Sequence, residues 1–362
     1  MVVKIGSSTL TAGTDRLSRP QMLELVRQIS RLRKQDIDVV IVSSGAMVTG
    51  REVLGFPKER KDIPFKQVLA AVGQVRLMQV WDQLFSLYGL PVAQTLLTRE
   101  DLADRQRYLN ARNTLLALLE HRVIPIVNEN DVVAVDEIKI GDNDNLSALV
   151  SNLIDADLLI LLTDIAGLYT ADPRHDPTAT LIPEVREIDI AIEALGGKAG
   201  SDRGTGGMVT KIQAARLATE SGTRVIIADG SVRDVLERLV QGESVGTCFI
   251  ASTSQVESRK RWIISGLASR GEVEVDNGAA VALLRHGKSL LPAGITTVRG
   301  HFERGDTITI QDADGKKLAC GVVNYSAADL ARIRGLRSSE IEPILGYEYG
   351  EEAVHRNNLV LL

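Results

Sequence analysis

Residues 157–164 read DLLILLTD, five aliphatic side chains in a row closed by Thr163 and Asp164. In an extended chain successive side chains point to opposite faces, so this run is apolar on both faces. A strand of that kind belongs inside a mostly parallel sheet covered on both sides. Five more runs share the pattern: VVKI from residue 2, DVVIVSS from 38, LPVAQTLL from 90, VIPIVNEN from 123 and TRVIIADG from 223. Between them lie helical stretches. PQMLELVRQISRLRKQ places Met22, Val26, Ile29 and Leu32 on one stripe, with Ser18 positioned as a cap and Pro20 in the first turn. QVLAAVGQVRLMQVWDQLFSLYG predicts a second long helix, closed by Gly89. Strands alternating with helices make a three-layer αβα domain whose ligands bind at the carboxyl ends of the strands.

The composition changes after Ile250. ASTSQVESRKRW is polar and poor in aliphatic residues, which places a linker at 253–268 after a first domain at 1–252. From 269 to 350 the pattern turns to short alternating strands, with Asp314-Gly315 as a hairpin signal. A small β-rich, barrel-like domain is expected there, followed by a tail at 351–362. Stability or oligomerisation is its plainest role.

Bulk properties exclude several function classes. The 362 residues suit two domains, and 44% apolar with 25% charged residues is ordinary for a globular enzyme. Lys plus Arg number 42 against 47 Asp plus Glu, a formal charge of −5 that gives no reason to expect nucleic acid or an anionic membrane as partner. Cys248 and Cys320 are too few for a disulfide framework or a four-thiolate zinc site. No charged-then-apolar leader and no membrane-length apolar run is visible, so a cytoplasmic location is expected.

Chemistry concentrates where glycine meets charge. Lys4 lies in VVKIGSS and Lys211 in GTGGMVTK. Glycine lets backbone N–H groups approach an anion, and a lysine adds a point charge. A lysine in a buried strand is costly unless it reaches an anion or the strand mouth; the plainer alternative for Lys4 is a surface position beside a turn. GTGGMVTK is the strongest single signal, a flexible loop feeding a helix that carries Lys211, against a mobile loop without ligand. Ser43-Ser44-Gly45 leaves a buried-type strand, although Ser-Gly turns are common. In GDNDN, Asn143 and Asp144 fall just before a helix expected near Asn145, so the plainer reading is helix capping by Asp144 or Asn145, which could coexist with function. Two cationic glycine-rich segments suit a transferring phosphoryl group, and hence a small-molecule kinase. HGKS at 286–289 fails as a P-loop because Ala282 stands where its first glycine belongs. The five histidines lie outside every motif, which is compatible with a carboxylate acceptor, already ionised and in no need of a general base.

Taken in order, Lys4-x-Gly, Ser44-Gly45-Ala46, NEND with Asp131, GDNDNLSA, LLTD and GTGGMxTK resemble the amino acid kinase superfamily, and within it the γ-glutamyl kinases. LLTDIAGLYTADPR, RKRWI and ILGYEYG extend the resemblance nearly end to end, and the β-rich region is similar to a PUA domain. The resemblance implies ATP-dependent phosphorylation of the side-chain carboxylate of L-glutamate. It places Lys4 and Lys211 around the transferring group and Asp144 between them as their orienting carboxylate. The Gly6 and Gly45 N–H groups would cradle phosphoryl oxygens. Thr163 and Asp164 would hold the nucleotide, with Thr205, Gly206, Gly207, Met208 and Lys211 over its phosphates. Ser44, Asp131 and Asn143 would bind glutamate, Asp131 as partner of the substrate ammonium. No protein metal site is implied, because Mg2+ would ride on the nucleotide phosphates. Inhibition by proline, a homo-oligomer, handover to glutamyl phosphate reductase and no membrane partner are further implications. RNA is not an expected partner despite the PUA likeness, since residues 269–347 carry ten basic and ten acidic side chains.

Overall fold

The computed structural model describes residues 1–58, 62–134, 142–197, 207–254 and 270–362. Its contacts divide the chain into two units, Met1–Ala103 with Asn110–Gln255, and Asp104–Leu109 with Val256–Leu362.

The aliphatic runs of the first unit become strands β1 (Val2–Ile5), β2 (Val40–Ser43), β3 (Val92–Leu97), β4 (Ile124–Glu129), β5 (Leu158–Thr163), β6 (Glu184–Val185), β7 (Arg224–Asp229) and β8 (Thr247–Phe249). They form one sheet in the order β3-β4-β2-β1-β5-β7-β8-β6. The six strands from β3 to β7 in that order run parallel, whereas β8 is antiparallel to β7 and carries β6 alongside it. The helices are α1 (Ser7–Thr11), α2 (Arg19–Lys34), α3 (Ala46–Val53), α4 (Ile63–Ser86), α5 (Arg99–Ala103), α6 (Arg105–Glu120), α7 (Asp142–Leu153), α8 (Ile190–Leu195), α9 (Met208–Thr219) and α10 (Val235–Val240). Ser18 caps α2 by accepting from the Gln21 N–H at 3.4 Å, with Pro20 in the first turn as the sequence predicts. α4 starts earlier than its apolar pattern predicts, because Asp62 caps it by accepting from the Phe65 N–H at 3.1 Å. It ends at Ser86, and the chain turns away through Gly89 at φ +67°.

Alternation along β1 decides which helices face which residues. Val3 and Ile5 join Ile41, Ile160 and Leu162 against Met22, Val26 and Ile29 of α2 and Leu77, Trp81 and Phe85 of α4. Val2 and Lys4 therefore face the other side, where α7 packs on β1 and α9 packs on α7. Pleat geometry sends a lysine beneath two helices.

On the α4 side, two glycines set the helix spacing. A Cβ on Gly50 of α3 would lie 1.9 Å from the Leu69 carbonyl oxygen, and one on Gly73 of α4 would lie 1.8 Å from that of Ala46. α3 and α4 thus meet backbone to backbone. The contact fixes Ser44 and Gly45, which immediately precede α3.

The second unit contains β9 (Gly271–Val275), β10 (Ile295–Gly300), β11 (Thr307–Gln311), β12 (Lys317–Val322) and β13 (Leu359–Leu361), with α11 (Asn277–His286), α12 (Ala327–Ile333) and α13 (Ile341–Leu345). The sheet order is β10-β9-β11-β12-β13, with only the β9–β11 pair parallel. Asp314-Gly315 does join an antiparallel pair: Gly315 takes φ +77°, and the Asp312 carboxylate accepts from the N–H groups of Asp314 (3.1 Å) and Lys316 (2.9 Å). Residues beyond 350 are built into this unit, since β13 pairs with β12 and Val354 bridges to Leu290. Val273, Ile308, Ile310, Leu330, Ile333 and Val354 lie in its core.

Alanine in place of glycine inside a helix ordinarily adds up to about 1 kcal/mol of stability. At position 73 the sign reverses, because the added carbon overlaps the Ala46 carbonyl. Gly73→Ala is expected to lose about 1–3 kcal/mol, read as a lower urea midpoint at unchanged slope. A higher midpoint would show that α3 and α4 are free to move apart.

Candidate active site

Five parallel strands deliver polar residues to one edge of the sheet. β1 leads into Gly6, β2 into Ser44-Gly45, β4 into Asn130-Asp131, β5 into Asp164 and β7 into Gly230. These are carboxyl ends, where open α/β sheets bind ligands. β1 lies at the centre of this group.

Lys4 of β1, Asp144 of α7 and Lys211 of α9 meet behind that edge. Lys4 Nζ lies 2.6 Å from Asp144 Oδ1, and Lys211 Nζ donates to Asp144 Oδ2 at 3.2 Å. The Asp144 side chain has no exposed surface, and the lysine side chains are 7% and 6% exposed. Thr210, one residue before Lys211, donates its hydroxyl proton to Asp144 Oδ2 at 2.7 Å. Burial alone would raise the carboxyl pKa of Asp144; the two ammonium groups overcome it and hold the group down at about 2. Lys4 moves down from its ordinary value, because burial and the Lys211 charge outweigh the pull of Asp144. The three groups sum to one positive charge. A buried excess charge is unfavourable, so the arrangement favours an incoming anion.

α7 begins at Asp142, three residues before the start expected near Asn145. Asn143 and Asp144 therefore occupy its first turn, where an acidic side chain is favourable. Capping is not the role of Asp144, whose carboxylate is directed to the lysines.

Asn143 reaches toward β2 and β4. Its Nδ2 donates to Ser44 Oγ at 3.1 Å, to Asn128 Oδ1 at 3.0 Å and to the Ser43 carbonyl at 3.4 Å. Gly45 takes φ +101°, a conformation that only glycine adopts without strain, and opens α3. Asp131 lies just beyond β4, half-buried. The next residue is tied down, as Gln67 Nε2 donates to the Val132 carbonyl at 3.1 Å.

On the other side of β1, Thr163 ends β5 and donates its hydroxyl proton to Asp164 Oδ1 at 3.1 Å. The Gly230 N–H donates to the Thr163 carbonyl at 2.9 Å. The Gly6 N–H donates to the Leu162 carbonyl at 3.3 Å, so in this arrangement Gly6 contributes open space: its missing Cβ would stand 3.6 Å from Lys4 Nζ. Gly207 caps α9 and Met208 is its first residue, while Thr205 and Gly206 lie outside the described residues.

The sequence motifs therefore separate in space. Ser44, Asp131 and Asn143 lie toward β2 and β4, Thr163 and Asp164 toward β5 and β7, and the charge cluster lies between. Sequence reasoning missed three residues that touch this set. Thr210 had a signal in its adjacency to Lys211, and Asn128 stands in the quoted NEND. Gln74, which accepts from Asn128 Nδ2 at 2.8 Å, is one polar residue within a long helical stretch and carries no motif. A cavity of about 320 Å³ beside α7 and α9, lined by Leu97, Glu129, Asn145, Leu146, Gln213 and Arg216 among others, holds none of the three clustered charges.

Residues 1–229 match the amino acid kinase family, and residues 271–345 match the PUA domain. A glutamate 5-kinase of Herpetosiphon aurantiacus is 58% identical over 99% of this chain and 97% of that protein. Those of Deinococcus radiodurans and Dehalococcoides mccartyi strain CBDB1 are 55% and 54% identical over the whole of this chain and 99% and 98% of their own lengths. The crystal structure of a UMP kinase from Bacillus anthracis aligns with 70% of this chain and 96% of its own at 14% identity, with a TM-score of 0.48. With a match over most of its length and relatives this similar from end to end, the chain belongs to the amino acid kinase family and carries a PUA domain after the kinase domain.

Proposed function

We propose that this chain transfers the γ-phosphoryl group of ATP to the side-chain carboxylate of L-glutamate, giving γ-glutamyl phosphate and ADP, the step that opens proline synthesis. The observation that carries the chemistry is the convergence of Lys4 and Lys211 on one buried carboxylate. The substrate reading is supported by the names of the relatives, each similar over the whole chain.

A carboxylate oxygen of glutamate forms the new bond to phosphorus, and the bridging oxygen leaves on ADP with the electron pair. Negative charge on the moving group is offset by the two ammonium groups. Asp144, held at about 2, is a poor base at neutral pH, so its role is to orient Lys4 and Lys211. Its two oxygens are engaged by Lys4, Lys211 and Thr210, which leaves this carboxylate unsuited to ligating a metal. Mg2+ carried on the nucleotide phosphates would supply further charge neutralisation. Ser44, Asn143 and Asp131 bind glutamate; Thr163, Asp164 and the segment from Thr205 to Lys211 bind the nucleotide. Among the described residues no helix is long and apolar enough to cross a membrane. Cytoplasmic location, proline as an inhibitor, a homo-oligomer and handover of the labile acyl phosphate to a reductase belong to the same reading.

Hydroxylamine traps an acyl phosphate as a hydroxamate, which makes the acceptor assay direct. With ATP, L-glutamate is expected to give hydroxamate and N-acetylglutamate, aspartate and UMP none. Turnover of N-acetylglutamate without glutamate would overturn the assignment. Lys4→Ala and Lys211→Ala should each lower kcat about 100-fold or more while changing the glutamate KM only slightly, because their charge matters most in the transition state. Asp131→Ala should mainly raise the glutamate KM.

Asp144 also predicts a pH dependence of stability. A carboxyl group whose folded pKa lies below its unfolded value stabilises the fold above about pH 4 and loses that contribution as pH falls toward about 2. Asp144→Asn leaves two buried ammonium groups without their carboxylate and should cost about 3–5 kcal/mol at neutral pH. The gap between wild type and variant in denaturant unfolding should narrow steadily from about pH 5 to about pH 2. A constant gap would contradict the charge account.

A further inference from the structure

Gln74 sits in the middle of α4, 9% exposed, next to the glycine that seats α4 on α3. It begins a chain of amides leading into the site. Gln74 Oε1 accepts from Asn128 Nδ2 at 2.8 Å, and Asn128 Oδ1 accepts from Asn143 Nδ2 at 3.0 Å. The same Asn143 nitrogen faces Ser44 Oγ and the Ser43 carbonyl.

The direction of that chain is fixed by one atom. A backbone carbonyl oxygen only accepts, so the Asn143 atom facing Ser43 must be nitrogen. The Asn128 atom facing it is then oxygen, which turns the Asn128 nitrogen toward Gln74. Gln74 must present its oxygen there, and its Nε2 is left buried without a hydrogen-bond partner among the described residues. A buried donor left unpaired costs about 1–3 kcal/mol. Such groups are rare in folded proteins and call for an explanation. At the other end of the chain, Asn143 Oδ1 is also buried and has no partner among the described residues.

We propose that Gln74 is a positioning residue for the acceptor side of the site. Its oxygen closes the amide chain that the Ser43 carbonyl directs, holding Asn128 in place and through it Asn143 and Ser44, with its own nitrogen left unsatisfied. The inference rests on the reading of Ser44, Asn143 and Asp131 as the glutamate-binding set. Orientation matters because an amino acid presents both an ammonium donor and carboxylate acceptors. Turning over one amide in the chain exchanges an acceptor for a donor.

Gln74→Met keeps the length and removes the acceptor; Gln74→Glu keeps an oxygen toward Asn128. In the full-length protein, Gln74→Met is expected to raise the glutamate KM about tenfold, the worth of one ordinary hydrogen bond. The ATP KM and kcat should stay within about twofold, and the urea midpoint should stay near wild type, since one unpaired donor, Gln74 Nε2, is exchanged for another, Asn128 Nδ2. Gln74→Glu should bring the glutamate KM back toward wild type. A Gln74→Met protein with an unchanged glutamate KM overturns the inference. So does one that unfolds or loses both substrates together, because then the residue serves packing. Wild-type turnover of glutamate is measured alongside. Its absence removes the functional reading and this inference together, whereas its presence with an unaltered Met variant removes only the inference.

Discussion

One buried carboxylate shared by two ammonium groups constrains everything else in the kinase domain. Asp144 lies on α7, Lys4 on β1 and Lys211 on α9, so satisfying its oxygens requires all three elements in register. Leaving any one of these charges buried alone would cost several kcal/mol, a large share of a typical domain's net stability. The cluster therefore locks the sheet centre to the helical layer above it. The same contacts leave one positive charge in excess. The feature that closes the fold is the feature that attracts an anion.

The other side of the sheet is set by α4. Gly73 lets that helix lie against α3, and its neighbour Gln74 reaches Asn128 at the end of β4. Trp81, seven residues further along and hence on the same face, donates its indole N–H to Ser43 Oγ at 3.1 Å. One helical face thus holds the ends of both β2 and β4. An added methyl at Gly73 would press on the Ala46 carbonyl, two residues after Ser44, and on the helix that carries Gln74.

Much of this was legible in the sequence, for a definable reason. Aliphatic runs such as DLLILLTD read as strands covered on both faces, and Gly6 and Gly45 mark where β1 and β2 give way to helices. Features set by contacts distant in sequence were not legible. GDNDN reads as a cap before a helix at Asn145, yet α7 starts at Asp142, because pairing Asp144 with Lys4 and Lys211 and placing it in the first turn favour the earlier start. Gln74 shows the same limit. Within AAVGQVRLMQVW nothing distinguishes a glutamine facing solvent from one holding an amide chain, since the difference lies in Asn128 and the Ser43 carbonyl. The segment after 350 reads as a tail because Leu359–Leu361 is short, and three residues make a strand only when a neighbour such as β12 supplies the ladder.

The strand order also bears on how the two substrates of the proposed reaction would share one site. β1 stands between β2 and β5, so residues leaving β2 and β4 form one wall and those leaving β5 and β7 the other. A phosphoryl donor on the β5 side and an acceptor on the β2 side would both face the Lys4 ammonium. That position is useful only if the charge stays there while the phosphoryl group moves. Asp144 secures this by holding Lys4 at 2.6 Å with a carboxylate that has no exposed surface. Lys211, held at 3.2 Å by an oxygen it shares with Thr210, has the longer contact of the two. Both ammonium groups are thus held by the two oxygens of one carboxylate, so their spacing is set by β1, α7 and α9 together.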